Sequence, residues 1–299
     1  MKRLLGPILV LFCISNALFA QDDLLNLIDD KKEKQPVNAT FKGTRLILGH
    51  STKMQAKKTL EFIVSHRFGR VNQGAHDLFG LDDSSVRIAL EYAPFDNLNI
   101  GVGRNSFDKT FDFFAKYQIV QQSTGPGSFP LSLVLLNSFT IKASPKAEDD
   151  PNIEFNDRLA NVSQLLISRK ISSVLSLQLM PSYVYKSSPT PNAAGIPGDT
   201  ELFALGMGGR LKITPGVSFN TEYYYRIDPV EGTGRTNAFS VGFDIETGGH
   251  VFQLHLTNSV FGFERGIISE TFDDFFDGDI HFGFNISRVF QLGGKKKAW

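Results

Sequence analysis

Val217-Ser218-Phe219-Asn220-Thr221-Glu222-Tyr223-Tyr224-Tyr225-Arg226-Ile227 decides the fold class. Its odd positions are apolar or aromatic apart from Thr221, and its even positions are polar apart from Tyr224. A period of two is that of an extended strand whose side chains alternate between two faces. Val86-Arg87-Ile88-Ala89-Leu90-Glu91-Tyr92 repeats the pattern with even positions apolar. Phe239-Ser240-Val241-Gly242-Phe243-Asp244-Ile245-Glu246 repeats it with odd positions apolar, and in Leu60 to Phe68 the even positions are apolar except His66.

Working outward, the pattern predicts twelve strands: about 60–69, 85–93, 98–106, 112–122, 131–143, 159–171, 174–186, 201–213, 217–227, 237–246, 251–260 and 279–290. Strands of soluble proteins have a mode of roughly 5–6 residues. A tilted strand that crosses a bilayer needs roughly 9–11, and these segments have that length.

The connections alternate. Gaps 70–84, 144–158, 187–200, 228–236 and 261–278 are long and rich in Gly, Pro and Asp, while 94–97, 172–173, 214–216 and 247–250 are tight. Gaps 107–111 and 123–130 break the rule. Long outer loops alternating with short periplasmic turns is the plan of an all-β, transmembrane, up-and-down antiparallel barrel. Closure satisfies every backbone group without an edge, so the outward face can be apolar. Phe is abundant, at 27 residues. Tyr92, Phe95, Phe107, Phe111, Phe129, Tyr183, Tyr185, Tyr223 to Tyr225 and Phe290 fall near strand ends, where aromatic side chains suit the lipid–water boundary.

The amino terminus reads as an export signal. Met1-Lys2-Arg3 is basic, Leu4 to Ala20 is uncharged, and small Ala20 precedes Gln21-Asp22-Asp23. The run is short and interrupted for a membrane helix, and no other stretch reaches 18 apolar residues. The expected organisation is therefore a signal peptide over 1–20, a flexible periplasmic segment over 21–43, an outer-membrane barrel over 44–292, and a basic tail over 293–299. Thr44-Arg45-Leu46-Ile47-Leu48 fits either an extra strand or a plug.

Composition removes several classes. Lys plus Arg and Asp plus Glu are both 31, which leaves no global field for nucleic acid. The single cysteine, Cys13, lies within the signal and excludes a disulfide framework.

Short motifs in this order resemble a known family. They are Thr40-Phe41-Lys42-Gly43-Thr44-Arg45-Leu46-Ile47, Ser65-His66-Arg67-Phe68-Gly69, Leu78-Phe79-Gly80-Leu81-Asp82, Glu91-Tyr92, Gly101-Val102-Gly103-Arg104-Asn105-Ser106, and Asp277 through Phe290. The chain resembles, over roughly residues 40–290, the membrane-bound β-barrel domain of unknown function found in Bacteroidetes-type Gram-negative bacteria. The resemblance implies an outer-membrane barrel and no activity. A barrel of this kind has outer-membrane lipid, the barrel-assembly machinery and other envelope proteins as its expected partners.

Catalytic chemistry is not encoded by motif. Gly-x-Ser-x-Gly is absent. His255, Thr257 and Ser259 share a strand face, but threonine is a poor nucleophile there. Gly101-Val102-Gly103-Arg104-Asn105-Ser106 lacks the third glycine and the helix of a dinucleotide site. The histidines lack metal-ligand spacing, and no cofactor is expected. Asp273, Asp274, Asp277 and Asp279 form a weak cation candidate without the spacing of a calcium loop.

The polar strand face is the stronger site candidate. Glu61, Arg67, Arg87, Glu91, Lys116, Glu222, Arg226, Asp244, Glu246 and His255 are expected to face the lumen. Mixed signs fit a weakly selective small-solute channel or a structural barrel cross-linked by ion pairs. An outer-membrane enzyme and a soluble exported lipid-binding barrel with its apolar face inward are the alternatives. On this reading Arg87→Gln is cheap, because a wet lumen rehydrates the site.

Overall fold

The computed structural model describes residues 33–143, 154–189, 191–192 and 194–292. The expected signal peptide, the segment up to residue 32, loop residues 144–153 and the tail 293–299 lie outside the described residues.

Twelve strands form the wall: β1 Thr59–Arg70, β2 Ser84–Phe95, β3 Leu98–Asn105, β4 Thr110–Val120, β5 Ser132–Lys142 and β6 Leu159–Lys170. They continue with β7 Leu175–Lys186, β8 Glu201–Lys212, β9 Val217–Ile227, β10 Phe239–Thr247, β11 His250–Thr257 and β12 His281–Gln291. Each pairs antiparallel with its sequence neighbours, and β12 pairs with β1 through Ile286↔Val64 and Phe290↔Leu60, closing the barrel. The ring therefore has no edge with unpaired backbone groups.

The two rims differ as the gap lengths predict. One carries the connections 71–83, 106–109, 143–158, 187–200, 228–238 and 258–280; the other carries 96–97, 121–131, 171–174, 213–216 and 248–249. The long exception on the short-turn rim has a structural cause. Gln35 and Pro36 pair with Thr124 and Ser123, so the 121–131 turn holds the incoming chain.

The outward face is mostly apolar, with Asn137, Asn161 and Ser163 hydrogen-bonded to one another as a polar exception across β5 and β6. Ile88 is 52% and Leu90 44% exposed on β2. Phe95, Tyr117 and Phe290 are exposed near the short-turn rim, and Phe111, Tyr185, Phe203, Tyr225 and Phe282 near the other. These are the two aromatic girdles of a membrane barrel. Tyr224 departs from the expected girdle: the alternation turns it inward, where it is fully buried.

Two segments of the chain fill the lumen. From the short-turn rim, residues 41–55 run inside the wall and are almost wholly buried. They turn back at a hairpin, with Ser51 N–H donating to Thr44 O and Leu46 N–H to Gly49 O, both at 2.9 Å. Arg45 and His50 bridge its two arms. The segment is thus a plug and not an extra strand. The expected flexible segment ending at 43 is corrected accordingly, because Phe41, Lys42 and Gly43 are already buried in the barrel.

From the opposite rim, the β11–β12 connection folds inward, with α1, Glu264–Ser269, entirely buried. A loop expected outside is therefore partly a second plug. Its Phe261, Phe263, Ile267 and Ile268 join Val134, Leu136, Val162, Leu166, Met180 and Val184 in one apolar cluster. The inner face of β5–β7 carries an apolar patch amid polar positions, and this loop covers that patch.

Candidate functional site

Polar wall residues converge on the N-terminal hairpin. Glu222 on β9 accepts hydrogen bonds from three successive backbone amides: Ile47 at 3.2 Å, Leu48 at 2.8 Å and Gly49 at 3.0 Å. Three donors aimed at one carboxylate make a local anion cradle. Gly49 is required there, because a Cβ would lie 2.6 Å from Glu222 Oε1 and closer still to the Tyr224 hydroxyl.

Other wall groups follow the same plan. Glu91 on β2 pairs with Arg45 at 2.6 Å. Glu61 on β1 accepts from Thr44 Oγ1 at 2.8 Å and Gln55 Nε2 at 2.6 Å. Lys116 on β4 donates to Lys53 O. Gln178 on β7 accepts from Thr52 N–H at 2.9 Å and donates to His50 O at 2.7 Å. Gln253 and Asn285 donate to Leu46 O and Ile47 O at 3.1 and 2.8 Å. At the mouth, Glu246 is half exposed and pairs with Lys42 at 2.8 Å.

The remaining predicted residues do not touch the hairpin through a hydrogen bond. Arg87 on β2 forms a two-pronged pair with Asp112 on β4, Nε to Oδ1 at 2.9 Å and Nη2 to Oδ2. Asp244 accepts from Gln253 at 2.9 Å. Arg226 sits toward the long-loop rim, donates to Arg235 O, and lies 4.0 Å from Asp199. Arg67 and His255 are buried, with Arg67 Nε and Nη1 and both His255 ring nitrogens lacking hydrogen-bond partners among the described residues.

The two plugs meet at the lumen centre. Arg45 Nη1 donates to His50 Nδ1 at 2.9 Å, which places the imidazole hydrogen on Nε2, 3.3 Å from Glu264 Oε1. Phe114 packs edge-on against His50 at 4.4 Å and lies under Arg45 at 5.4 Å. Beyond them Arg265 bridges Asp108 at 3.1 Å and Glu270 at 3.2 Å. Burial raises the Glu270 carboxyl, but the positive charges of Arg265, Lys142, Lys186 and Arg235 prevail and hold it at about 2.

The acidic cluster of the same connection has other work. Asp273 pairs with Arg70 and His281, each at 2.7 Å, and Asp279 accepts from Asn72 at 2.8 Å. Asp274 caps the Phe276 amide, and Asp277 is exposed. Among the described residues no group of three or more His, Cys, Asp or Glu side chains is placed to hold a metal ion. Thr257 Oγ1 is engaged by Ser240 Oγ at 2.8 Å and by Ser259 N–H at 3.1 Å, so the His255–Thr257–Ser259 set forms no nucleophile–base pair.

The expected lumen charges leave out Asp112 and every neutral partner in this constellation. Asp112 shares a face with Lys116, and Gln178, Gln253 and Asn285 stand on polar strand faces. A count of all polar inward positions finds them. The apolar lining had a signal too: Leu133-Val134-Leu135-Leu136 does not alternate, which marks a strand covered on both faces.

A closed twelve-stranded barrel with lipid-suited girdles and a filled polar lumen defines a membrane β-barrel protein. The chain belongs to the membrane bound beta barrel domain family (DUF5777), whose model matches residues 41–290. The matched span begins where the plug begins. No curated protein matches the chain. Among solved structures it is similar to the NanC porin, at 9% identity over 79% of this chain and 100% of that one, with a TM-score of 0.49. It is also similar to an outer-membrane channel from Pseudomonas putida F1, at 14% identity over 80% and 97%, TM-score 0.48. A third is the KdgM porin in complex with disordered oligogalacturonate, at 11% identity over 78% and 99%, TM-score 0.46.

Proposed function

We propose that the protein is an outer-membrane channel for small polar solutes that is closed at rest by its own N-terminal hairpin. The observation that carries this reading is where the wall spends its polar groups. Glu222, Glu91, Glu61, Lys116 and Gln178 engage the hairpin rather than one another. Withdrawal of the hairpin leaves a charged, wettable lumen, which is what a solute path needs. A purely structural barrel is better served by wall-to-wall pairs such as Arg87–Asp112.

The two plugs are unequal. Loop 258–280 is anchored by buried Phe261, Phe263, Ile267 and Ile268, and leaving costs apolar burial. The hairpin puts only Ile47 and Leu48 into that cluster and is otherwise held by many polar contacts that water can replace, so it is the more movable part. Export by a cleaved signal peptide, insertion by the barrel-assembly machinery and a long-loop rim facing outward complete the proposal, supported by the sequence layout and the family. The polar interior and apolar exterior disfavour a soluble barrel with a lipid-binding lumen. No catalytic role is proposed.

Planar-bilayer recording tests the reading. The parent protein should be almost silent, and Arg45→Ala with Glu222→Gln should give frequent openings. Silence in a correctly folded, plug-weakened variant rejects the channel and leaves a structural barrel.

A further inference from the structure

The plug does not fill the short-turn mouth. A cavity of about 610 Å³ lies there, with residues 37–42 and 52–56 on one side and the barrel wall on the other. That is the size of pocket that takes a small multi-atom ligand, roughly 300–1,000 Å³.

Its charge is one-sided. Lys42, Lys53, Lys170, Arg210 and Lys212 line it, against Asp96 and Glu246. Lys42 is neutralised by Glu246 at 2.8 Å. Asp96 accepts from the Lys57 amide at 2.8 Å and is paired with none of these cations. Among the others, Lys53 ends on Lys42 O, Lys170 on Asn38 O at 2.9 Å, and Arg210 on Ala39 O at 3.0 Å and Thr40 O at 3.2 Å, with Asp244 and Glu246 as the carboxylates near Arg210. Arg210 is buried, yet its Nε lacks a partner among the described residues. A carboxylate or phosphate oxygen is a far stronger acceptor for such groups than a peptide carbonyl. A concave, low-dielectric wall also focuses the field of clustered like charges.

We propose that this mouth is a binding site for a soluble multivalent anion bearing phosphate or carboxylate groups. Lys53, Lys170, Arg210 and Lys212 are its contacts. A single small anion leaves most of the volume unused, so the ligand carries several charged groups on one frame. The site lies inside the ring of strands, which selects a soluble ligand over a bilayer headgroup. The inference goes beyond the channel reading, because it requires binding and not conduction.

The test is isothermal titration calorimetry on the full-chain protein in neutral detergent at low salt, with tripolyphosphate and citrate as probes and maltotriose as the uncharged control. Saturable binding of either anion, absent for maltotriose and weakened about tenfold or more in Lys170→Gln/Lys212→Gln, supports the site. Heat-modifiable mobility of that variant, matching the parent, shows that its barrel is intact. The proposal is overturned by no saturable heat with either anion, by unchanged affinity in the folded variant, or by equal binding of maltotriose. Displacement of tripolyphosphate by lower concentrations of short-chain phosphatidylglycerol also overturns it, by reassigning the mouth to lipid. None of these outcomes depends on bilayer currents, so failure here and failure of the channel reading are distinguishable.

Discussion

His50, near the end of the N-terminal hairpin, stands 3.3 Å from Glu264, the first residue of α1, nitrogen to carboxylate oxygen. These residues are 214 positions apart in sequence and enter the lumen from opposite rims. Their contact is where the two plugs meet inside the barrel. Arg45 ties the same point to the wall through Glu91, and Arg265 ties α1 to Asp108. The junction is thus tied to β2 and to the neighbouring β3–β4 connection.

Glu222 should govern how firmly the hairpin is held. Glu222→Gln removes the negative charge and turns an amide donor toward the Ile47, Leu48 and Gly49 amides. The expected loss is about 2 kcal/mol. Hydrogen exchange of those three amides should accelerate while wall amides stay protected. Unchanged protection at 47–49 means the carboxylate does not hold the plug.

Face assignment is tested on β2. Leu90 faces outward, and Leu90→Arg should cost roughly 2–4 kcal/mol near the bilayer midplane. The expectation that Arg87→Gln is cheap does not survive the structure. Arg87 is buried against Asp112, and removing one partner of such a pair costs about 3–5 kcal/mol. Arg87→Gln/Asp112→Asn should recover much of that loss, because no lone charge remains. Urea unfolding from lipid vesicles, with Asp112→Asn alone completing the cycle, gives all four numbers, and additive single-variant costs in the double variant argue against the pair.

Acid should loosen the α1 loop late. The Glu270 carboxyl stands at about 2 in the folded protein, below the usual glutamate value of roughly 4.3. A depressed folded value means that the stabilisation is complete above the unfolded value and is lost as pH falls from about 4 through about 2. Protease nicking within 258–280 should rise across that window in the parent. Glu270→Gln should be nicked more readily at neutral pH and show little further change on acidification. A parent step centred near pH 6 contradicts the assignment.

Rim orientation is open to labelling, since Cys13 lies within the expected signal peptide. Ser188 is exposed on the long-loop rim and Ser173 on the short-turn rim. An impermeant maleimide on intact cells should label Ser188→Cys and spare Ser173→Cys. The reverse pattern inverts the proposed topology and moves the anion site to the cell exterior.

The wall was legible in the sequence because strand periodicity is local. Each residue of Val217–Ile227 has only its neighbours to agree with, and a closed barrel in lipid forces apolar side chains outward and polar ones inward. The alternation of gap lengths followed from the same antiparallel chain path. What fills the barrel was not legible. The Arg45–Glu91 pair, the Glu222 cradle under Ile47 to Gly49 and the His50–Glu264 junction join residues 46 to 214 positions apart, and no spacing rule links them. Whether Thr44 to Leu48 becomes strand or plug depends on whether the β12–β1 seam closes without it, which pairing around the whole ring decides. Arg87 shows the same division: its inward direction follows from sequence, and only the fold supplies Asp112, which turns a dispensable charge into half of a buried pair.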